Sequence, residues 1–315
     1  MKGVASLRYR RLGRSGLKLG AISLGSWLTY GGSVDEERAR LCVRTALDLG
    51  VNHFDTADVY QGGAAEEVLG RALDGVPRHQ VVIATKVFWP TGEGPNDRGT
   101  SRKHVMESLH RSLERLGTDY VDILYCHRFD AETDPEETMF ALNDLVQQGK
   151  VLYTGVSEWP AERIREARGI QRRLGLRSLA ADQPKYSLLA RGIERDILPA
   201  CRDEGLGLVV FSPLAEGVLT GKYRPGEAAP EGSRARQNTG LLRAENLERV
   251  ERLRPVATEA GIPLAQLALA WVLRLPEVTS ALVGATSPEQ IRGNVAAAEI
   301  QLTPDVLAAA EQAVR

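Results

Sequence analysis

One feature constrains this chain more than any other. Short apolar segments alternate with amphipathic helical ones along nearly its whole length. The apolar segments are 21–24, 53–55, 81–86, 120–126, 151–156, 178–182, 207–211 and 280–283. The helical patterns that follow them are 35–49, 65–73, 101–116, 135–148, 160–174, 192–204, 263–275 and 288–297. Continuous apolar runs of this length fit parallel strands covered on both faces. Strands that alternate with helices predict a parallel sheet. Eight such units within 315 residues predict an α/β protein of the (β/α)8 TIM-barrel class rather than an open doubly wound sheet. Ser33 or Asp35 caps the first helix and Gly50 stops it, while Gly117 and Gly149 end later ones. An N-terminal β-hairpin, with strands 8–12 and 17–19 around a turn at 13–16, precedes the first unit. Two helices are extra to the repeat, at 243–260 and 303–314. No linker divides the chain, so one domain over 1–315 is expected. The long irregular segment at 216–240 is rich in Gly, Pro and Arg, and loops of that length are uncommon and often functional.

Composition excludes several function classes. A hydrophobic content of 43 % rules out disorder as the dominant state. The formal charge of −1 argues against nucleic-acid binding, which normally comes with a basic surface. No run approaches the ~18 apolar residues of a membrane span. Residues 1–10 lack the apolar core of a secretory signal, so a cytoplasmic location is expected. Cys42, Cys126 and Cys201 are too few for a disulfide framework. Motifs exclude more. No G-x-G-x-x-G follows the first strand. The run from Gly217 through Gly221-Lys222-Tyr223 has one residue too few between its glycines for a P-loop, and Tyr where Ser or Thr must meet magnesium. The five histidines show no metal-ligand spacing, so no metal is expected, and a G-x-S-x-G elbow is missing.

In a (β/α)8 barrel the chemistry sits at the C-terminal ends of the strands. Strand by strand, those ends carry Gly25-Ser26-Trp27, Asp55 with Tyr60 five residues on, Lys86, and His127. They continue with Ser157-Glu158-Trp159, Asp182-Gln183, Phe211-Ser212-Pro213 and Gly284-Ala285-Thr286. An acid, a phenol, an ammonium and an imidazole thus converge on one mouth. Each has an ordinary alternative: Asp55 as a loop cap, Lys86 as any polar strand end, His127 as a core histidine, Tyr60 as a surface aromatic. Lys86 stands out because the chain has only seven lysines against 33 arginines. Together the four support proton donation to a carbonyl oxygen. A phenol with a pKa near ~10 is a poor acid at neutral pH, and a neighbouring ammonium lowers that value. A carboxylate would hold the lysine, and an imidazole would orient the carbonyl. None of these groups delivers a hydride, so a cofactor is required.

Here a resemblance enters. Gly25-Ser26-Trp27, Phe54-Asp55-Thr56-Ala57-Asp58-Val59-Tyr60, Gly155-Val156-Ser157 and Phe211-Ser212-Pro213-Leu214 resemble motifs of the aldo-keto reductase superfamily, across essentially the whole chain. Within it the chain is most similar to the β-subunits of voltage-gated potassium channels and their bacterial relatives. That similarity rests on Thr85-Lys86-Val87-Phe88-Trp89, Arg98-Gly99-Thr100-Ser101-Arg102-Lys103-His104, Ser157-Glu158-Trp159 and Ser212-Pro213-Leu214-Ala215-Glu216-Gly217 with Gly221-Lys222-Tyr223.

The resemblance implies an NADPH-dependent reductase of small aldehydes and ketones, with NADH as an alternative cofactor. Tyr60 is then the general acid, Lys86 its pKa modulator, Asp55 the lysine's partner, and His127 the group that orients the carbonyl. Ser157 and Gln183 meet the nicotinamide carboxamide and Phe211 stacks on its ring. Ser26, Trp27, Pro213 and Gly284 join the cofactor site, while Ser212, Leu214 and Gly217 line the pyrophosphate. Lys222 and Arg234 meet phosphates, and Thr286, Gln290 and Asn294 surround the adenosine end. Trp27, Tyr30, Phe88, Trp89 and Phe129 are the aromatic candidates for the substrate pocket. Three residues depart from the pattern. His127 stands where the channel β-subunits carry Asn, Glu158 where Asn or Arg is usual, and Gly293 where the family usually has Glu near the adenine. An NADP(H)-holding regulatory subunit and a Schiff-base lyase built on Lys86 are the competing readings. A homo-oligomer, tetramer or larger, is what the channel-like group implies; the sequence carries no exposed stripe that argues one.

Overall fold

The computed structural model describes residues 7–27, 29–32, 34–230 and 239–315. A two-stranded antiparallel hairpin, β1 (Tyr9–Arg11) and β2 (Lys18–Gly20), opens the chain. Eight parallel strands then close into a barrel. They are β3 (Ile22–Gly25), β4 (His53–Asp55), β5 (Val82–Val87) and β6 (Val121–Cys126), followed by β7 (Val151–Val156), β8 (Leu179–Asp182), β9 (Gly207–Phe211) and β10 (Val278–Val283). Each strand pairs with its sequence neighbour, and β10 returns to pair with β3. The predicted barrel is therefore the observed one. Around it run α1 (Glu36–Asp48), α2 (Ala64–Ala72), α3 (Arg102–Leu116), α4 (Pro135–Gln147), α5 (Ala161–Leu174) and α6 (Ile197–Glu204). The series ends with α7 (Ala244–Glu259), α8 (Leu264–Val272), α9 (Pro288–Ala296) and α10 (Pro304–Ala313).

Side-chain caps set several helix starts. Asp35 accepts from the backbone N–H of Arg38, and Ser101, Asp134, Ser287 and Thr303 do the same for α3, α4, α9 and α10. Asp35 is thus the cap of α1, and Ser33 lies outside the described residues. The helix expected over 192–204 is divided. A 3-10 turn covers Gly192–Glu194, and α6 starts afresh after Asp196, whose non-helical backbone lets its carboxylate accept from the N–H of Ile197. The last strand starts at Val278, two residues before the expected position. The two extra helices pack together, and Arg252 on α7 donates to the Ala313 carbonyl on α10 at 2.8 Å. At the two ends of 216–240, 3-10 turns occupy Ala215–Thr220 and Thr239–Leu242, and 231–238 lie outside the described residues. Among the described residues, no helix is long and apolar enough to cross a membrane, and no group of His, Cys, Asp or Glu could hold a metal. All three cysteines are free and buried.

The core has two parts. The larger lies between strands and helices. The smaller fills the barrel, where Leu12 and Leu19 of the hairpin meet Val82, Ala84, Ile123, Tyr125, Ala181, Val209 and Leu282. The hairpin therefore plugs the barrel at the N-terminal ends of its strands. Arg10 fastens the plug by donating to the carbonyls of Leu273, Leu275 and Val278. At the turn, Gly13 has φ +55, and a Cβ there would lie 2.2 Å from the Gly205 carbonyl oxygen. The plug seats only because this position has no side chain. Gly13→Ala should therefore destabilise the fold by about 1–3 kcal/mol, the range for forced overpacking. The measurement is a urea titration in which the midpoint falls and the slope stays constant.

Candidate active site

Strand alternation aims the key side chains inward. Ala84 and Tyr125 belong to the barrel interior, so Lys86 and His127, two residues further on, share that face. Thr85, between Ala84 and Lys86, turns outward and donates to Glu66 on α2. Lys86 and Asp55 meet as an ion pair with side chains 0 % and 2 % exposed. The Lys86 ammonium also donates to the Thr56 carbonyl at 2.7 Å. The second carboxylate oxygen of Asp55 accepts from Gln183 Nε2 at 2.8 Å. Ser157 Oγ in turn donates to the Gln183 backbone carbonyl at 2.8 Å. The ends of β4, β5, β7 and β8 are thereby tied to one buried charge pair. Asymmetric removal of one partner from such a pair is costly, because the other is left charged and dry.

Tyr60 stands over this pair at the start of a 3-10 turn, Tyr60–Gly63. Lys86 Nζ lies 4.9 Å from the centre of its ring. The His127 ring meets it edge-on at 5.8 Å. All four groups of the expected tetrad thus come together at the mouth. Their protonation follows from the surroundings. Burial pushes Tyr60 above the ordinary phenol range; the Lys86 charge pulls against that and Asp55 adds to it. A neighbouring ammonium alone would lower the phenol, and in the folded chain burial outweighs it. Lys86 is raised above its ordinary value: burial opposes its charge, and Asp55 and Tyr60 more than compensate. His127 is pushed down to about 2 by burial and by the charges of Lys86 and Arg128, so its imidazole is neutral. The mouth therefore presents a protonated phenol, an ammonium and a neutral imidazole together.

The cofactor candidates fall at the same end of the barrel. Ser26, Ser157 and Gln183 are buried, and Ser26 Oγ has no partner among the described residues. Phe211, Ser212 and Leu214 are half-buried and Pro213 is buried, at the end of β9. Ser212, Ala215 and Glu216 all have positive φ although none is glycine, and Gly217 has φ +99. A Cβ on Gly217 would come within 3.2 Å of Lys222 Cε, so the lysine stem lies across this turn. Gln290 Oε1 accepts from the Thr286 N–H at 2.8 Å, Gly284 is exposed, and Asn294 is buried on α9. Gly293 faces open space. Glu158 is half-buried and accepts from the Lys185 N–H at 2.7 Å. Arg234 lies outside the described residues.

The aromatic candidates separate. Trp89 is exposed, meets Phe88 edge-on at 5.1 Å and faces the His127 ring at 6.3 Å. Trp27 is exposed as well. Phe129 instead packs edge-on against buried Trp159 at 5.0 Å, beneath the Arg163 guanidinium. Tyr30 is only 1 % exposed and belongs to the core between strands and helices, so it is a packing residue rather than a pocket wall. Two residues that sequence reasoning passed over lie beside the tetrad. Arg128 donates to the His127 carbonyl, stacks 5.6 Å above Trp89, and its charge acts on both Tyr60 and His127. Only its adjacency to His127 could have marked it among so many arginines. Asp58 lies two residues before Tyr60. It accepts from Ser108 Oγ at 2.6 Å, and its own N–H donates to the Lys86 carbonyl at 3.3 Å.

The profile of the aldo/keto reductase family matches residues 19–315. The chain belongs to the aldo/keto reductase family. That family is one of oxidoreductases that use nicotinamide cofactors. This family member is 45 % identical to a probable voltage-gated potassium channel subunit beta of Arabidopsis thaliana, with 98 % of the chain and 97 % of the relative covered. It is 44 % identical to a putative voltage-gated potassium channel subunit beta of Schizosaccharomyces pombe, over 95 % and 91 % of the two chains. It is 40 % identical to the L-glyceraldehyde 3-phosphate reductase of Escherichia coli, over 92 % and 87 %.

Asp58 gives this family member a testable pH dependence. Burial pushes its carboxyl up to about 7, against the Ser108 hydrogen bond, with Glu66 adding to the rise and Arg115 and the Val59 N–H opposing it. A carboxyl raised on folding favours the native state below its unfolded value near 3.8, and that favour is lost as the pH climbs to about 7. Asp58→Asn removes the penalty of a buried charge. Its stability relative to wild type should be greater at pH 8 than at pH 5 by about 2–3 kcal/mol, from ~1.4 kcal/mol per pKa unit. Paired urea titrations at the two pH values measure this.

Proposed function

We propose that this chain is an NADPH-dependent reductase of small aldehydes and ketones in which Tyr60 protonates the carbonyl oxygen. One observation carries the reading: a protonated phenol stands beside a neutral imidazole, above an ammonium whose position a buried carboxylate holds. Such a set matches a reaction in which negative charge develops on a carbonyl oxygen.

The chain's own residues fit a nicotinamide dinucleotide. Three non-glycine residues held in the left-handed region within five positions, at Ser212, Ala215 and Glu216, are the kind of strain found where backbone clamps a ligand. Successive N–H groups in such turns form anion-binding concavities, and Lys222 lies directly across this one. Ser26 Oγ, buried and unpartnered among the described residues, is a polar atom awaiting a ligand at the same mouth. Ser157 and Gln183 would hold the carboxamide, Phe211 would flank the ring, and Thr286, Gln290 and Asn294 would hold the adenosine end. When bound, the cofactor supplies the hydride.

The protein supplies the rest. Tyr60 keeps its proton through the neutral range because its phenol is buried. Lys86 stabilises the phenolate left after transfer, since its charge already acts on the phenol. Asp55 and the Thr56 carbonyl hold the ammonium in one place. His127 stays neutral and so can donate a hydrogen bond to the substrate without competing for the transferred proton. Arg128 places a cation at the rim beside Trp89, which suits an aldehyde carrying a negative group, and the Escherichia coli relative is named for such a substrate. The similarity to channel β-subunits favours a second reading, a regulatory subunit that holds NADP(H) with little turnover.

Following NADPH absorbance with a panel of neutral and phosphorylated aldehydes separates the two. Turnover supports the reductase; cofactor binding without turnover supports the regulatory subunit. Tyr60→Phe should lower kcat by about 10²–10⁴-fold while cofactor affinity stays unchanged, the usual range for losing a general acid. The pH–rate profile should show no limb from His127 above pH 5, and its alkaline fall should lie above the ordinary phenol range because burial raises Tyr60.

A further inference from the structure

A cavity of about 810 Å3 lies at the end of the barrel away from Tyr60. Its floor is the first half of β7 and the beginning of β8, and its rim is the β1–β2 turn with the last residues of α4 and α6. β7 and β8 reach Ser157 and Gln183 only at their opposite ends, so this cavity is separate from the mouth. Its size suits a small metabolite.

The charges around it do not balance. Arg14, Arg168 and Arg177 line it, and Glu204 is the single carboxylate among its described lining residues. Both oxygens of Glu204 are already engaged by Arg172. Arg168 is the least satisfied of the three. Its side chain is 11 % exposed, its Nε has no hydrogen-bond partner among the described residues, and the nearest Glu204 oxygen is 3.7 Å away. Among the described residues its Nη1 donates to Gln171 Oε1 at 2.9 Å. A buried donor without an acceptor costs free energy, more so on a charged group. Arg14 gives one nitrogen to the Asp203 carbonyl at 3.2 Å. Burial presses the Arg168 guanidinium below its ordinary value; the Glu204 charge opposes this, and Arg172 and Arg14 add to it. Beside these cations the wall is apolar, formed by Leu152, Tyr153 and Leu179.

We propose that this cavity is a second ligand site, for a small molecule that carries a phosphate or carboxylate group on an apolar body. The oxyanion sits among the guanidinium groups of Arg14, Arg168 and Arg177, whose planar forks match two oxygens at once. Arg14 and Arg177 meet it from the rim, and the mostly buried Arg168 adds its charge from the wall. The apolar body lies along Tyr153 and Leu152.

Isothermal titration of the full chain at low ionic strength tests this with three probes: phenyl phosphate, benzoate and inorganic phosphate. The aromatic probes should bind more tightly than inorganic phosphate, and the better of the two identifies the oxyanion. Arg177→Gln, at an exposed position that leaves the fold intact, should weaken that binding at least about tenfold, a loss of ~1.4 kcal/mol. Arg168→Gln should weaken it further, provided its thermal melt matches wild type. Lys222→Gln, at the opposite end of the barrel, should leave it unchanged. The proposal is overturned if none of the probes binds, if Arg177→Gln binds as wild type does, or if the loss follows Lys222→Gln instead.

Discussion

The ion pair between Lys86 and Asp55 is the interaction on which the rest of the mouth depends. Two opposite charges held out of water are stable only with their remaining hydrogen-bonding capacity filled. Here the Thr56 carbonyl and the Gln183 amide fill it. That requirement fixes β4, β5 and β8 relative to one another, and through Ser157 it reaches β7. It also sets the chemistry. The same burial that isolates the pair keeps Tyr60 protonated and His127 neutral, so a phenol and a neutral imidazole coexist on one face.

The two ends of the barrel do different work. At the N-terminal ends of the strands, Leu12 and Leu19 fill the interior and Arg10 bolts the hairpin to the turn before β10. At the C-terminal ends, the side chains that succeed Ala84 and Tyr125 on the inward face are polar. Packing at one end thus permits polarity at the other, the usual division in this architecture. The arginine-lined cavity departs from that division, because it brings unmet positive charge to the end otherwise given to packing.

Much of this was legible in the residue order. Strand and helix boundaries follow from apolar run length, the Asp35 cap and the glycine stops, and the candidate tetrad follows from what ends each strand. The errors have local causes. The helix over 192–204 breaks at Asp196, whose carboxylate caps the following turn rather than continuing the helix. Tyr30 lies just after a strand end, as a pocket residue would, yet its ring is drawn into the apolar layer between strands and helices. Arg128 is one of 33 arginines, and Asp58 lies in the same short segment as Asp55 and Tyr60, so neither is marked by residue type or spacing.

The sequence by itself determined the barrel and the set of chemical groups at its mouth. Hydrophobic periodicity selects secondary structure, and in a closed parallel barrel strand order decides which residues reach the same end. Only the tertiary structure decided the protonation of those groups. Whether Lys86 or burial dominates at Tyr60 depends on how much water remains around the phenol, and that is set by residues far away in the chain. The unbalanced arginines became visible for the same reason. Arg14 and Arg177 are separated by more than half the chain's length, and only closure of the barrel brings them to one cavity.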